Sequence, residues 1–306
     1  MERSAGSCQG EGTGRGPHLI LTERGERTLH EAERGDTVRD IARAGDPDRA
    51  IAALFAPREA RPDLFALYAF NVELARIGEQ VSEPALGAIR LQWWREAVER
   101  AAKGEATGHP VADTFGETLT QRGLLRERVT ALIDARAFDV SMKIMPDITS
   151  LEAYLRDTAG ALFALGAECL GASGPSLAPA SSLAGLAYGL TGLMRALPVH
   201  AASGRVYVPA DALIRHGTSP EAALAGKSNE GLLAALAELR GKARDALHEA
   251  RRHIGQLDAN ARAAFLPVSL VDPYLAALDK SGCDPLREIV DINPLYRLWR
   301  MASWRW

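Results

Sequence analysis

GLAYGLTGLMRALPVHAASGRVYVP, residues 185–209, is the stretch from which the rest of the chain can be read. Its first half is an apolar run in which Gly185, Gly189 and Gly192 let a helix pack closely against its neighbours. Arg195 follows, then a proline break at Pro198, and the stretch leaves through Gly-Arg-Val-Tyr-Val-Pro from Gly204 to Pro209.

Working outward, the same helical grammar recurs. From Arg61 to Val81, Leu64, Leu67, Tyr68, Asn71, Leu74, Ala75 and Gly78 fall three and four residues apart, which defines one helix face, and Pro62 suits a first turn. Ser82 is placed to cap the next helix, with Pro84 in its first turn and Gly104 beyond its end. In that helix Ile89, Trp93 and Ala97 share a face. Thr149 and Glu152 form a T-x-x-E capping box that opens a helix carrying Tyr154 and Cys169 and stopping near Gly171. A long amphipathic helix is expected from about Asn229 to Leu257, and Pro267, Pro273, Pro285 and Pro294 divide the remainder into short ones. No sustained period-two alternation or hairpin signal appears. The expected fold is all-α: a single-domain helical bundle over residues 36–306, with Tyr68–Glu79 facing Met194–His200 across a central cavity. Residues 1–35, rich in Gly, Arg and Glu, read as a disordered extension, and the same composition fits translation from an upstream start codon.

Composition limits the function. The 306 residues are 47% hydrophobic and 25% charged with a formal net charge of −3, which is ordinary for a globular chain and opposes nucleic-acid binding. Cys8, Cys169 and Cys283 are too scattered for a disulfide framework or a zinc site, so reduced thiols in a cytosolic or matrix-like compartment are expected. No apolar run reaches the roughly 18 to 20 residues of a membrane span, and the N-terminus has no secretory h-region. Residues 294–306 stand apart: Tyr296, Trp299, Trp304 and Trp306 alternate with Arg297, Arg300 and Arg305, a composition that suits either a membrane surface or closure of the helical core.

Residues 185–209 resemble the second signature of the squalene/phytoene synthase family, roughly Q-L-T-N-I-L-R-D-x-x-x-D followed by G-R-x-Y-L-P. Leu190, Thr191, Arg195, Gly204, Arg205, Tyr207 and Pro209 match, while Ala196 and His200 stand where the aspartates belong. The first signature, Y-A-F-C-R-x-x-D-D-x-x-D, aligns with Tyr68–Glu79 and puts Ala75, Arg76 and Glu79 at the acidic positions. Tyr154 matches the tyrosine of the family's Y-x-x-x-x-A-G pattern. The resemblance implies an isoprenoid-synthase fold. In active members it implies two facing sets of carboxylates that hold Mg²⁺ against a substrate diphosphate, a task suited to oxygen ligands spaced i, i+4 on a helix. Here at most one carboxylate survives, so no catalytic or metal-binding residue is expected and no cofactor; Mg²⁺ belongs only to the enzymatic alternative. Glu79 with His200 would be two ligands without a third.

Tyr68, Tyr154, Arg195, Arg205 and Tyr207 remain as candidates to line a cavity or hold a diphosphate, or to serve as structural arginines and core tyrosines. Ala69–Ala75 (AFNVELA), Arg90–Trp94 (RLQWW) and Met194–His200 (MRALPVH) narrow the resemblance to the branch of the family that contains mitochondrial complex I assembly factor 6 and its alphaproteobacterial relatives. That branch implies a non-catalytic protein acting in respiratory complex I (NADH dehydrogenase) assembly. Its implied partners are complex I subunits or assembly factors. Its implied place is cytoplasmic and peripheral at the inner membrane, or the matrix side in a mitochondrion, with membrane contact through the C-terminal tail. The alternatives are a prenyltransferase joining two allylic diphosphates head to head, and a protein that binds an isoprenoid or lipid without turnover.

Overall fold

The computed structural model describes residues 32–81, 83–141, 143–280 and 284–306, and among them there is helix and no strand. Helix α1 covers residues 32–45, four residues ahead of the expected start of the domain; residues 1–31, Ser82 and Cys283 lie outside the described residues, and with them most of the proposed extension. Asp46 caps α2 (Pro47–Ala53) by accepting from the Arg49 amide. Helix α3 (Arg61–Gln80) carries Pro62 in its first turn, as its fixed φ favours. It is buried on most of its circumference from Asp63 to Leu74, and Phe70 stacks on Phe115 at 4.2 Å between centroids. Burial of such a ring contributes about 1.5–3 kcal/mol.

Helix α4 (Pro84–Ala101) turns Gly87, Leu91, Trp94, Val98 and Ala101 inward. The tryptophan pair is thereby split: Trp94 meets Phe70 edge-on, while Trp93 and Ile89 are left 41% and 64% exposed. Helices α5 (Pro110–Gln121), α6 (Arg126–Ala135) and the single turn α7 (Ala137–Val140) complete this half.

The second half is built around one long interrupted helix. Helix α8 (Ile148–Leu155) passes through a π turn, Arg156–Gly160, into α9 (Ala161–Cys169). Its cap differs from the expected T-x-x-E box: Asp147 accepts from the Ser150 amide at 2.7 Å, so the helix starts one residue before Thr149, and Glu152 instead pairs with Lys242 at 2.8 Å. Aspartate at this position caps as well as threonine and carries a charge that suits a helix N-terminus. Helix α10 (Leu177–Arg195) lies against this run as the glycines of residues 185–209 foretold. A Cβ on Gly185 would stand 2.4 Å from the Gly160 Cα, and one on Gly189 would stand 2.6 Å from Leu155 Cδ2; Gly192 faces open space.

On its other side α10 packs along α14 (Glu230–Ile254), which Asn229 caps through the Leu232 amide. Between them the chain runs through α11 (Leu197–Ala202), α12 (Ala210–Arg215) and α13 (Pro220–Leu224). A 3₁₀ segment, Ala261–Leu270, leads into α15 (Val271–Leu278). Helix α10 and residues 261–278 are long and apolar enough to cross a membrane, in contrast to the expectation from the sequence, but half or more of each is buried within the fold.

The last helix, α16 (Pro294–Ser303), divides the tail between a side packed on the fold and an exposed side. Arg297 and Met301 are buried, Trp304 lies between the Arg251 and Arg300 guanidinium groups at 4.5 and 4.7 Å, and Trp306 packs on the core. Leu295, Tyr296, Leu298 and Trp299 point outward.

Candidate functional site

Helix α3 presents the first set of acidic positions with little acid. Ala75 has no donor atom, and Arg76 is paired with Glu73 at 3.2 Å one turn earlier on the same helix. Glu79 is exposed. Next to it, Gly78 leaves a groove that the Arg205 guanidinium fills: a Cβ there would stand 2.8 Å from Arg205 Nη1. The second set closes α10 and forms α11, where Ala196 is the junction residue and His200 is partly buried. Among the described residues no group of three or more His, Cys, Asp or Glu side chains is placed to hold a metal. Mg²⁺ prefers oxygen ligands in near-octahedral array. One exposed carboxylate, with Arg76 at another of the acidic positions and Arg205 in the groove beside Gly78, does not fit that ion.

Three of the five candidate binding residues meet around a carboxylate that the sequence reading passed over, Asp139 on α7. Tyr154 and Tyr207 both donate their hydroxyls to its Oδ1, at 2.8 and 2.7 Å, and Arg136 pairs with Oδ2 at 3.0 Å. Arg205 Nη1 donates to the Asp139 carbonyl at 3.3 Å, and Arg136 Nη2 reaches across to Asn71 on α3 at 2.8 Å. The Tyr154, Tyr207 and Phe138 rings lie 5.6–5.8 Å apart, and His200 closes the group 4.8 Å from Tyr207. Through this cluster α3 faces the segment after α10, but side chains bridge the interval.

Burial and mutual contacts fix the protonation states within the cluster. Burial, and then the Asp139 charge, push the Tyr154 and Tyr207 phenols far above their usual range. Burial opposes the charge on Arg136, but Tyr154 and Asp139 outweigh it and keep the guanidinium protonated. Burial and the Arg205 charge push His200 down to about 4, and its Nδ1 has no partner. The histidine and both phenols are therefore neutral at pH 7 and far from their titration points, which leaves none of them poised for proton transfer.

Arg195 and Tyr68 lie elsewhere. Arg195 turns toward the C-terminal segment: its guanidinium carbon lies 3.6 Å from the Tyr274 ring centre, Nε donates to the Val290 carbonyl at 2.9 Å and Nη2 pairs with Asp291 at 3.1 Å. Beside it, buried Asp48 accepts from Tyr274, Tyr188 and Arg297 at 3.1, 3.3 and 3.2 Å. Tyr68 is fully buried on α3, its hydroxyl facing Gly166 of α9, and burial raises its phenol too. Asp139, Arg136, Asp48, Tyr274 and Arg297 were all absent from the candidates. The one local signal was the i, i+3 pair Arg136–Asp139.

A pocket of about 840 Å³ opens beside Tyr154, walled by Phe138, Ile144, Met145, Pro146 and Ala153. Its polar rim includes Lys143, Asp134 and Asp157; the two carboxylates are already paired, with Arg95 and Arg156.

Comparison with known proteins places these features. The pattern of the family described as "Squalene/phytoene synthase" matches residues 42–300. The chain is 30% identical over 228 residues to "NADH dehydrogenase (ubiquinone) complex I, assembly factor 6" of Rattus norvegicus, covering 74% of this chain and 68% of that protein. It is 29% identical over 253 residues to the protein of the same name from Homo sapiens, covering 81% and 75%. Among solved structures, squalene synthase HpnC from Alicyclobacillus acidocaldarius superposes with a TM-score of 0.72 at 24% identity over 82% of this chain and 94% of that one, a likeness of fold.

Proposed function

The chain belongs to the squalene/phytoene synthase family, and from that premise we propose that it is a non-catalytic member acting in the assembly of respiratory complex I at the surface of the inner membrane. The observation that carries the non-catalytic part is the charge at the two signature segments. Departure of pyrophosphate concentrates negative charge that metal ions normally stabilise. Here Ala75, Ala196 and His200 offer no carboxylate, Arg76 is a cation, and Arg205 lies in the groove beside Gly78. The assembly part is supported by the likeness to the rat and human assembly factors, which extends over about three quarters of the chain. Its partners in this reading are complex I subunits or other assembly factors, and the protein needs no metal cofactor.

Deleting the gene tests the reading. Assembled NADH dehydrogenase in membranes falls while carotenoid and hopanoid levels stay unchanged; normal complex I activity in the deletion strain would count directly against it.

One observation favours a second reading. Family membership, with Tyr154, Arg205 and Tyr207 kept, is also what a head-to-head prenyltransferase with an altered metal site would show. Binding of an isoprenoid or lipid without turnover is compatible with either, and the 840 Å³ pocket has a size and an apolar lining suited to such a chain.

A further inference from the structure

Helix α16 has two apolar sides, and only one of them is used within the fold. On the inner side Met301 is 2% exposed, Arg297 reaches buried Asp48 at 3.2 Å, and Arg300 Nε donates to the Ser269 carbonyl at 3.2 Å. Asn293 caps the first turn through the Leu295 amide at 2.8 Å. On the outer side Leu295, Leu298 and Trp299 fall three and four residues apart, hence on one face, and are 76%, 44% and 59% exposed. Tyr296 flanks them, its ring 5.6 Å from that of Trp299. We propose that this outer face of α16 is a docking surface for an anionic lipid bilayer, with Leu295, Leu298 and Trp299 entering the boundary between headgroups and acyl chains.

Charge selects that occupant. The chain as a whole carries −3, yet residues 294–306 contain three arginines and no Asp or Glu. Arg297 is neutralised by Asp48 and Asp291, and Arg300 is turned inward to the Ser269 carbonyl and the Trp304 ring, which leaves exposed Arg305 as the cation beside this face with no acidic partner among the described residues. A helix lying in the interface plane buries its apolar side while cations beside it meet anionic headgroups, and the amphipathic rings of Tyr and Trp sit at that depth. The surface is also preformed. Because the Arg297–Asp48 pair and Met301 fix the helix to the core, docking orders no new backbone. Trp304 and Trp306, turned inward, take no part. The proposal rests on the assembly reading only for which bilayer the protein meets; its test reads lipid binding alone.

The full chain is floated with vesicles of phosphatidylcholine, with and without phosphatidylglycerol, at low and high salt. A Leu298→Glu/Trp299→Glu variant changes the outer face of α16. An Ile89→Glu/Trp93→Glu variant, altering an equally exposed apolar stripe on α4, is the control for general stickiness, and thermal melts establish that both fold. The wild-type chain and the α4 variant float with anionic vesicles at low salt, and the α16 variant loses binding by about fivefold or more. Failure of the wild-type chain to float, equal flotation of the α16 variant, or equal loss in the α4 variant would each overturn the proposal. So would a dimer in solution that the α16 substitutions disperse without any lipid binding, which would make the face a contact between two copies.

Discussion

His200 stands where the resemblance led one to expect an aspartate, boxed in by the Tyr207 ring at 4.8 Å and by Arg205, whose amide donates to the His200 carbonyl at 2.8 Å. Burial and that neighbouring cation lower its pKa from 6.5 to about 4. In the unfolded chain the imidazole takes up its proton near 6.5, and in the folded chain only near 4, so the unfolded state binds more protons as the pH falls between those values. Stability therefore declines from pH 6.5 downward, and the histidine's share of the loss, on the order of 3 kcal/mol, levels off below about 4. Because carboxylates titrate in the same window, the imidazole itself is the probe. Its ring proton resonance stays at the neutral position from pH 8 to 5.5, and the slope of stability against pH flattens in His200→Gln. A midpoint near the ordinary value would show that water reaches His200 and that the cluster around Asp139 is loosely packed.

At the scale of elements, the packing of α10 on the α8–α9 run turns on two glycines with opposite surroundings. Gly185→Ala would drive a Cβ to within 2.4 Å of Gly160 backbone atoms, which cannot swing aside as a side chain can. The expected cost is about 1–3 kcal/mol or more in urea unfolding. Gly192→Ala, on the same helix with nothing within 4 Å, is expected to be neutral or stabilising by up to about 1 kcal/mol through helix propensity alone. Equal effects from the two would mean that α10 does not approach Gly160 as closely as this.

The helices themselves were legible because three- and four-residue spacing is a local property: α3 and α14 begin and end within a few residues of expectation, whereas α10 starts at Leu177, eight residues ahead of the stretch that announced it. Caps were less so. Asp147 and Thr149 are both competent to start α8, and the choice depends on how the preceding loop arrives. The site was half legible. Tyr154, Arg205 and Tyr207 carry a pattern that names them, but Asp139, which gathers them, sits on a four-residue helix with partners 15 and 68 positions away. The same holds for Asp48 and Arg297, 249 residues apart, which tie the last helix to the first part of the fold. Burial decides such pairings, and burial is a property of the assembled chain.

Taken whole, the molecule keeps the helical architecture of a prenyl synthase while its interior charges are spent on one another. Asp139 is matched to Arg136 and two phenols, and Asp48 to Arg297 and two more. Arg195 is held by the C-terminal segment. Buried charges satisfied in this way fix side chains in place, and removing one partner from such a pair typically costs about 3–5 kcal/mol. An enzyme of this fold would instead leave carboxylates free for metal. The direct measurement is pyrophosphate release by the purified full chain supplied with Mg²⁺ and farnesyl or geranylgeranyl diphosphate. Loss of several kcal/mol of transition-state stabilisation slows ionisation by orders of magnitude, at about tenfold per ~1.4 kcal/mol. The expected result is therefore release no faster than in the absence of protein, and no squalene or phytoene. Robust Mg²⁺-dependent release that Glu79→Ala abolishes would contradict the account and make the chain a working prenyltransferase.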